Sequence, residues 1–391
     1  VSPGKGALAE AVLRAQEGDT VRVLPGIYKE SGILITKRLT LLGEGMPVID
    51  AEGGGQVITV TADGVRIQGL AIRNVGVSHM EDRAGVKLAG VKDCVIEGNR
   101  FLDTFFGIYL EKAERCIVRG NLISGRGGKE TSSGNGIHAW YSRDLVIEDN
   151  QVSGHRDGIY LEFVRESRIR GNTSEGNLRY GLHFMFSHDD VYEGNVFRES
   201  GAGVAVMFSD SVTMIGNRFE HNWGPASYGL LLKDIRWSEV RGNEFIRNTV
   251  GLYCEGSSKL DVRGNQFTAN GCAVRMMASA TENSLTENNF QENTFDIATN
   301  SRQNFNDFNG NYWSAYRGYD LDRDGRGDVP HRPVHLFSLL VEQEPAGLIL
   351  LHSFFVDLLD TAERVLPVYT PESLMDSRPL MSPVSGGRIS Q

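Results

Sequence analysis

Apolar residues in this chain recur in runs too short for helices. Gly158-Ile-Tyr-Leu-Glu162 and Gly181-Leu-His-Phe-Met185 alternate inward and outward positions, and alternation over a few residues predicts a half-buried strand. Two further apolar columns keep a fixed distance from a recurring asparagine. Three residues before it stand Ile96, Val118, Ile147, Ile169, Tyr192, Met214, Val240 and Val262; two residues after it stand Phe101, Ile123, Val152, Ser174, Phe197, Phe219, Phe245 and Phe267. The pattern therefore predicts three short strands per repeat, each sending an apolar side chain inward.

Glycines and asparagines set the period. Gly85, Gly107, Gly136, Gly158, Gly181, Gly203, Gly229 and Gly251 are followed by Ala273, at steps of 22, 29, 22, 23, 22, 26, 22 and 22 residues. Fourteen residues after each glycine comes Asn99, Asn121, Asn150, Asn172, Asn195, Asn217, Asn243 or Asn265. A fixed period of this size marks a solenoid. With three β-strands per coil of about 22 residues it predicts an all-β parallel β-helix, in which coils stack about 4.8 Å apart and like residues pile on like. The two long steps are insertions of seven and four residues at one point of the repeat, hence loops at one corner.

The rest of the chain is arranged around this stack. Residues 1–50 read as a cap and first strands: Ala7–Gln16 is a short amphipathic helix that covers the open end, and strands start at Thr20–Tyr28 and Gly32–Thr36. The β-helix proper is expected over 51–310, with irregular early coils from Leu39 to Val75. Residues 311–344 form an aromatic closing segment and an Asp-rich loop. Residues 345–391 are expected to hold an amphipathic helix, within Pro345–Pro367, and an extended docking tail that orders only on a partner. The apolar run Leu348–Leu359 is too short and too charged at its end for a membrane span, which needs about 20 largely apolar residues.

Charge and cysteines add limits. The net charge of −10 argues against nucleic acid or an anionic membrane as the main partner, because phosphate contacts need a basic face. The chain opens at Val1 without a signal-peptide pattern, which reads as a mature, processed form or a trimmed piece. Cys94 and Cys116 occupy equal positions in adjacent coils, as stacked thiols or as a disulfide; Cys254 reads as core and Cys272 as a turn residue.

Candidate chemistry lies on the outer side of the first strand after each glycine. Position two reads Tyr109, His138, Tyr160, His183, Ala205, Leu231 and Tyr253, and position four reads Glu111, Trp140, Glu162, Met185, Met207, Lys233, Glu255 and Met277. Solvated strands rarely expose two methionines beside a histidine. Two thioethers and an imidazole favour a soft ion, so His183, Met185 and Met207 are a candidate Cu(I) site. The competing reading is an adaptable protein-contact patch, framed by Trp140, His188, Trp223 and Tyr228. Asp320, Asp322, Asp324, Gly325 and Asp328 have the spacing of a calcium loop, although His331 stands where a twelfth-position Glu is expected. The alternative is a turn capped by aspartates. A carbohydrate enzyme is the rival class, with Glu111, Asp157, Glu162, Asp189 and Asp190 as candidate carboxylates. No tight acidic cluster recurs on one face, and no phosphate loop or Ser-His-Asp arrangement is visible.

The segment Gly18-Asp-Thr-Val-Arg-Val-Leu-Pro-Gly-Ile-Tyr28 and the Gly-Asn coils resemble the carbohydrate-binding and sugar-hydrolase repeat superfamily. Tyr180–His188, Gly203–Ser209 and Asn311-Tyr-Trp with Tyr319–Pro330 more specifically resemble NosD, the family of periplasmic maturation proteins of nitrous oxide reductase, over roughly Ser2 to Val384. The resemblance implies a right-handed β-helix and a non-enzymatic role in the periplasm. It implies docking on an ABC transporter of permease NosY and ATPase NosF, copper supplied by the chaperone NosL, and apo-nitrous oxide reductase as client. The C-terminal segment, with Phe354, Phe355 and Leu358, would then contact the permease. The copper ligands His183, Met185 and Met207 come from the repeat register and not from the family.

Overall fold

Three strands per coil recur from Thr20 onward. A representative coil runs Val95–Glu97, Arg100–Leu102 and Phe106–Glu111. Each strand pairs in parallel with its counterpart one coil on: Ile96 opposite Val118, Phe101 opposite Ile123, Ile108 opposite Ile137. First strands build one sheet, second strands another and third strands a third, giving a right-handed parallel β-solenoid. The computed structural model describes residues 1–78, 80–301, 303–351, 353, 356, 358–359 and 374–384. They divide into two compact units, 1–204 and 205–391, each a stack of such coils.

Inside the stack the two columns read from sequence do different work. Phe219, Phe245, Phe267, Phe290 and Trp313 stack face to face, with centroids 4.8, 4.6, 5.0 and 4.2 Å apart. Asparagines form a hydrogen-bonded ladder: the Asn99 amide donates to Asn121 Oδ1 and the Asn121 amide to Asn150 Oδ1, both at 3.0 Å. Each step satisfies a buried backbone donor at a corner, where no strand partner is available. The residue before the asparagine must be left-handed, as Gly120 is at φ 61°, which accounts for the Gly-Asn pairs. Ser174 interrupts the apolar column because its hydroxyl donates to the Gly181 carbonyl at 2.7 Å and accepts from Asn177 Nδ2 at 3.0 Å.

The early coils are a correction. They are regular: Thr40–Gly43, Val48–Asp50 and Ile58–Val60 are strands, and Thr20 pairs with Thr40 and Leu41 with Ile67. Leu70 occupies the ladder position, its amide donating to Asn99 Oδ1 at 3.0 Å. An apolar residue at that place erases the sequence signature without disturbing the coil. A second ladder, Asn222 to Asn248 to Asn270 to Asn293, runs beside the first in the second unit. Cys272 is likewise not a turn residue; it is buried at the start of the strand Cys272–Met276.

The ends are closed by packed elements. The N-terminal helix Ala7–Arg14 buries Leu8 and Val12, and Glu30 accepts the amides of Leu8 and Ala9, both at 3.0 Å. At the other end a helix runs Leu336–Gln343, followed by a 3₁₀ stretch Pro345–Leu350; most of the helix expected within 345–367 lies outside the described residues. Phe337 packs on Phe295, and Glu342 pairs with Arg275. These contacts fix the helix where they are, and Pro345 favours a new start rather than continuation. Of the expected docking tail, residues 374–384 are described and lie on the solenoid end: Leu374 and Asp376 are buried, and the Leu380 amide donates to the Asn311 carbonyl at 2.8 Å. No helix among the described residues is long and apolar enough to cross a membrane.

Candidate metal centre

Candidate side chains gather on the outer side of the third sheet in the first unit. A Cβ on Gly158 would come within 2.1 Å of Ser174 Oγ and 2.6 Å of the Gly181 carbonyl, so only hydrogen fits. On the strand Asp157–Glu162, Asp157 comes within 3.8 Å of His183, which also stacks on Tyr160.

Aromatic and imidazole rings alternate along this face. Tyr109, His138, Tyr160 and His183 stand at equivalent positions of successive coils, with centroids 4.8, 4.8 and 4.7 Å apart. Tyr180 closes on His183 from its own strand at 4.7 Å. The solvated outer face expected from the pattern is therefore corrected: His183 is only 5% exposed. The stacked rings cover one another, as isolated polar side chains on a strand would not. Neither ring nitrogen of His138 or His183 has a hydrogen-bond partner within the protein. Buried imidazoles in that state are uncommon and call for a ligand or water.

Charge is arranged around these rings. His183 Nδ1 lies 3.8 Å from Asp157 Oδ2; Arg156 and Arg179 flank the same carboxylate, each at 3.8 Å. The insertion before Gly136 reaches over the site, where Glu130 pairs with Arg179 at 3.5 Å. Burial, with help from the Arg156 charge, pushes His138 down to about 3, so it stays neutral and keeps a lone pair for an acceptor role. Burial raises Glu162 above the usual carboxylate range, opposed by His183, and raises Tyr160 to about 12.

The candidate copper ligands divide between the units. His183 and Met185 close the strand Tyr180–Met185. The Tyr160 hydroxyl donates to Met185 Sδ at 3.6 Å, so one tyrosine contacts both the thioether and the imidazole. Met185 is half-buried, not exposed. Met207 ends the strand Ala202–Met207 in the second unit and is also half-buried. Among the expected contact residues, Trp140 is half-buried with Lys112 Nζ 5.6 Å over its ring, His188 bridges Arg165 as a neighbouring strand residue, and Trp223 is 58% exposed in the second unit. Leu358 is exposed, as are Leu340, Leu348, Ile349 and Leu350; Phe354 and Phe355 lie outside the described residues.

Of the rival carboxylates, Asp157 and Glu162 belong to the strand beside His183 and Glu111 and Asp190 lie elsewhere. Glu111 pairs with Lys87 at 2.7 Å. Asp190 is buried at another corner, where its Oδ1 accepts the Ser167 amide and burial pushes it up to about 8.

Sequence reasoning missed an aromatic ridge beside the methionine column. Tyr141, Phe163 and Phe186 follow position four in successive coils, all left-handed, with φ of 48°, 54° and 51°. Their rings stack at 4.5 and 5.2 Å. Bulky side chains at positive φ are rare outside strained or functional places. Lys112 holds this position one coil earlier, also at positive φ. The available signal was an unbroken aromatic column directly after position four, at a corner that elsewhere carries Asp234 or Gly256.

The Asp-rich loop brings Asp320, Asp322 and Asp324 together, with carboxylate oxygens within 4.8 Å of one another; Asp328 is not in that cluster. The oxygens are engaged within the loop. Asp320 accepts the amides of Asp324 and Gly325, Asp324 accepts Arg326 N and pairs with Arg378 at 2.8 Å, and Asp328 accepts Leu321 N. Asp328 turns one carboxylate oxygen back to the Leu321 amide at 2.7 Å.

Comparison with known proteins gives a coherent result. Residues 15–132 and 123–318 match the model of a family described as periplasmic copper-binding protein (NosD). A probable ABC transporter binding protein NosD of Pseudomonas aeruginosa is 31% identical over 388 residues, covering 94% of this chain and 90% of that protein. A protein of the same description from Stutzerimonas stutzeri is 28% identical over 385 residues, covering 93% and 87%. Among solved structures, the catalytic unit of a GH87 α-1,3-glucanase from Streptomyces thermodiastaticus superposes with TM-score 0.61 at 14% identity, over 82% of this chain and 68% of that one. The adhesin PfbA of Streptococcus pneumoniae gives 0.60 at 12% identity, over 76% and 88%. At such identities these likenesses concern the fold alone.

Proposed function

Because the chain belongs to the NosD family of periplasmic copper-binding proteins, we propose that it relays copper: it accepts Cu(I) from a chaperone and passes it to apo-nitrous oxide reductase while docked on an ABC transporter. The relatives are named as transporter-binding proteins, which supports the docking half of the reading. The observation that carries the metal half is His183, whose two buried ring nitrogens lack a protein partner. Met185 stands two residues on and shares Tyr160 with it. Imidazole plus thioether is a soft donor set that holds Cu(I) without fixing it, so the ion can leave by ligand exchange. Met207, in the second unit, is proposed separately as a soft donor.

Partner contacts follow from exposed apolar groups. The Tyr141–Phe163–Phe186 ridge, with Trp140 and His188, is the proposed meeting place for the copper chaperone NosL and the reductase, and Trp223 of the second unit is proposed as a contact residue by itself. The rings stack on one another and so present edges to solvent, which suits insertion into an apolar protein groove better than stacking on a sugar face. The leucine-rich segment through Leu358, including Phe354 and Phe355, is the proposed contact to the permease NosY, coupled to the ATPase NosF. Calcium in the Asp320 loop stays a separate proposal, tested by whether a chelator lowers the melting temperature.

Anaerobic Cu(I) titration against a competing chelator tests the relay. Wild type should bind tightly, and Met185→Ala and His183→Ala should lose that site. Equal binding by all three proteins would remove these residues from the pathway and leave a docking scaffold.

A further inference from the structure

His183 is closed to solvent, so a ligand reaches it only if something moves. The residue is 5% exposed and lies against Tyr160 and Tyr180, with ring centroids 4.7 Å away in both cases. The backbones of both tyrosines are held in paired strands of the third sheet, Asp157–Glu162 and Tyr180–Met185. The Tyr180 side chain is held differently. Arg179 lies over its ring at 4.8 Å. Arg179 is in turn held by the insertion that precedes Gly136, through Glu130 at 3.5 Å. It also stands 3.8 Å from Asp157, the carboxylate beside His183. Insertion, arginine, tyrosine and imidazole thus form one chain of contacts.

The insertion is built to lift. Gly127 and Gly128 open it at φ 63° and 110°, conformations that glycine adopts freely and other residues do not. Gly134 ends it so close to the Phe105 carbonyl that a Cβ would sit 2.5 Å away. Its anchors are backbone bonds at these two ends: Gly127 N donates to the Gly154 carbonyl at 3.0 Å, and Arg156 N to the Gly134 carbonyl at 2.8 Å. Among the described residues, the backbone between them bonds only to itself, Ser132 N to the Lys129 carbonyl at 3.0 Å and Ser133 N to the Glu130 carbonyl at 3.3 Å. The single turn Glu130–Ser132 buries none of its residues. Beneath it lies a cavity of about 10 Å³, lined by Thr104, Arg126, Ser133 and His155, room for about one water. A segment with little buried apolar surface and few bonds to its neighbours opens at low cost. Its side-chain tie to the coils is the Glu130–Arg179 pair.

We propose that residues 126–134 are a lid that controls access to His183, latched by Glu130 on Arg179. With the latch closed, Arg179 stays on Tyr180 and Tyr180 stays on His183. When the latch opens, Arg179 is released, the Tyr180 ring turns away and the imidazole becomes reachable. Lids of this kind admit a ligand and then shield it from water. The use of the lid, admission of Cu(I), rests on the function proposed above; the lid itself is tested without metal.

Diethyl pyrocarbonate acylates imidazole nitrogens that it can reach, and peptide mass spectrometry reads each histidine separately. In the metal-free full chain at low salt, His183 and His155, the histidine under the insertion, should react slowly, with the exposed His221 as internal reference. Glu130→Gln keeps the shape of the side chain and removes its charge. It should raise the rates at His183 and His155 together by about two- to fivefold, the scale set by an exposed ion pair. Lys129→Gln, a charge change at the neighbouring residue, should leave both rates unchanged. Added salt should speed wild type toward the Glu130→Gln rates, because screening weakens an exposed pair, and should leave that variant unmoved. Unchanged rates in Glu130→Gln overturn the lid. A rise at His183 alone does so too, since Tyr180 would then turn with the insertion in place. Cu(I) uptake from a competing chelator, timed in the same proteins, separates the lid from the copper reading. Uptake quickened by the same factor supports both; faster modification with unchanged uptake supports the lid and sets copper elsewhere.

Discussion

Asp157 Oδ2 faces His183 Nδ1 at 3.8 Å across one coil step. The distance is too long for a hydrogen bond, yet the carboxylate is the acidic group held against that nitrogen. A small ring movement on metal binding would close it, turn Nδ1 into a donor and leave Nε2 for the ion. Carboxylates behind metal-binding histidines commonly act this way.

Asp157→Asn should therefore weaken Cu(I) binding about 10- to 100-fold with the fold intact. Chelator competition measures the affinity, and ¹⁵N shifts of the His183 ring measure the tautomer. Both should move together. A weakened affinity with an unchanged tautomer would assign Asp157 a packing role instead.

How much of this was legible depends on whether a feature repeats. The coils were readable because Gly85 to Ala273 and Asn99 to Asn265 recur with one spacing, and in a stack each repeat meets the same surroundings. The early coils hid because Leu70 replaces the ladder asparagine. Position two was readable as a column, but its burial was not: ring-on-ring stacking of Tyr160 and His183 is a property of neighbours, not of a residue. Asp376 was unreadable altogether. It is a single side chain in a non-periodic tail, and its role exists only where the tail lands.

Phe163 is held left-handed at φ 54° between Tyr141 and Phe186. That backbone costs about 1 kcal/mol for a bulky residue, and ring stacking returns about 0.5–1.5 kcal/mol. Phe163→Asn, which tolerates positive φ, should leave stability within about 1 kcal/mol in urea unfolding. If the ridge is the contact surface, the same variant should bind its purified partner at least about tenfold more weakly, a loss of about 1.4 kcal/mol. Unchanged binding would make the ridge a structural feature.

Asp376 extends the asparagine ladder from outside the repeat. The Asn288 amide donates to Asn311 Oδ1 at 3.0 Å, and the Asn311 amide donates in turn to Asp376 Oδ2 at 2.8 Å. Gly310 N and Trp313 Nε1 donate to the same carboxylate, both at 2.9 Å. Asp376→Ala leaves three buried donors unmatched, at about 1–3 kcal/mol each. The expected loss is several kcal/mol, read in urea unfolding with Trp313 fluorescence. Truncation after residue 373 should cost at least as much.

Buried ionisable groups make stability depend on pH in two opposing ways. Burial depresses His155 to about 4 and His138 to about 3, from about 6.5 in an unfolded chain. The unfolded chain then binds more protons, so their contribution is present above about pH 6.5 and is lost as pH falls toward the folded values. Between pH 7 and 5 the loss is about 2 kcal/mol per imidazole. Asp190 acts oppositely. Burial raises it to about 8, the folded chain binds the extra proton, and its contribution grows as pH falls from 8 toward the ordinary carboxylate range. These terms partly cancel in wild type, so the differences between variants carry the information. His155→Asn suits its column, since Asn177 holds the next place and accepts the His155 amide at 3.2 Å. Urea unfolding at pH 7 and pH 5 should show His155→Asn losing about 2 kcal/mol less than wild type on acidification. Asp190→Asn should lose about 2 kcal/mol more. Parallel profiles for all three proteins would mean that water reaches these side chains and that they titrate as in the unfolded chain.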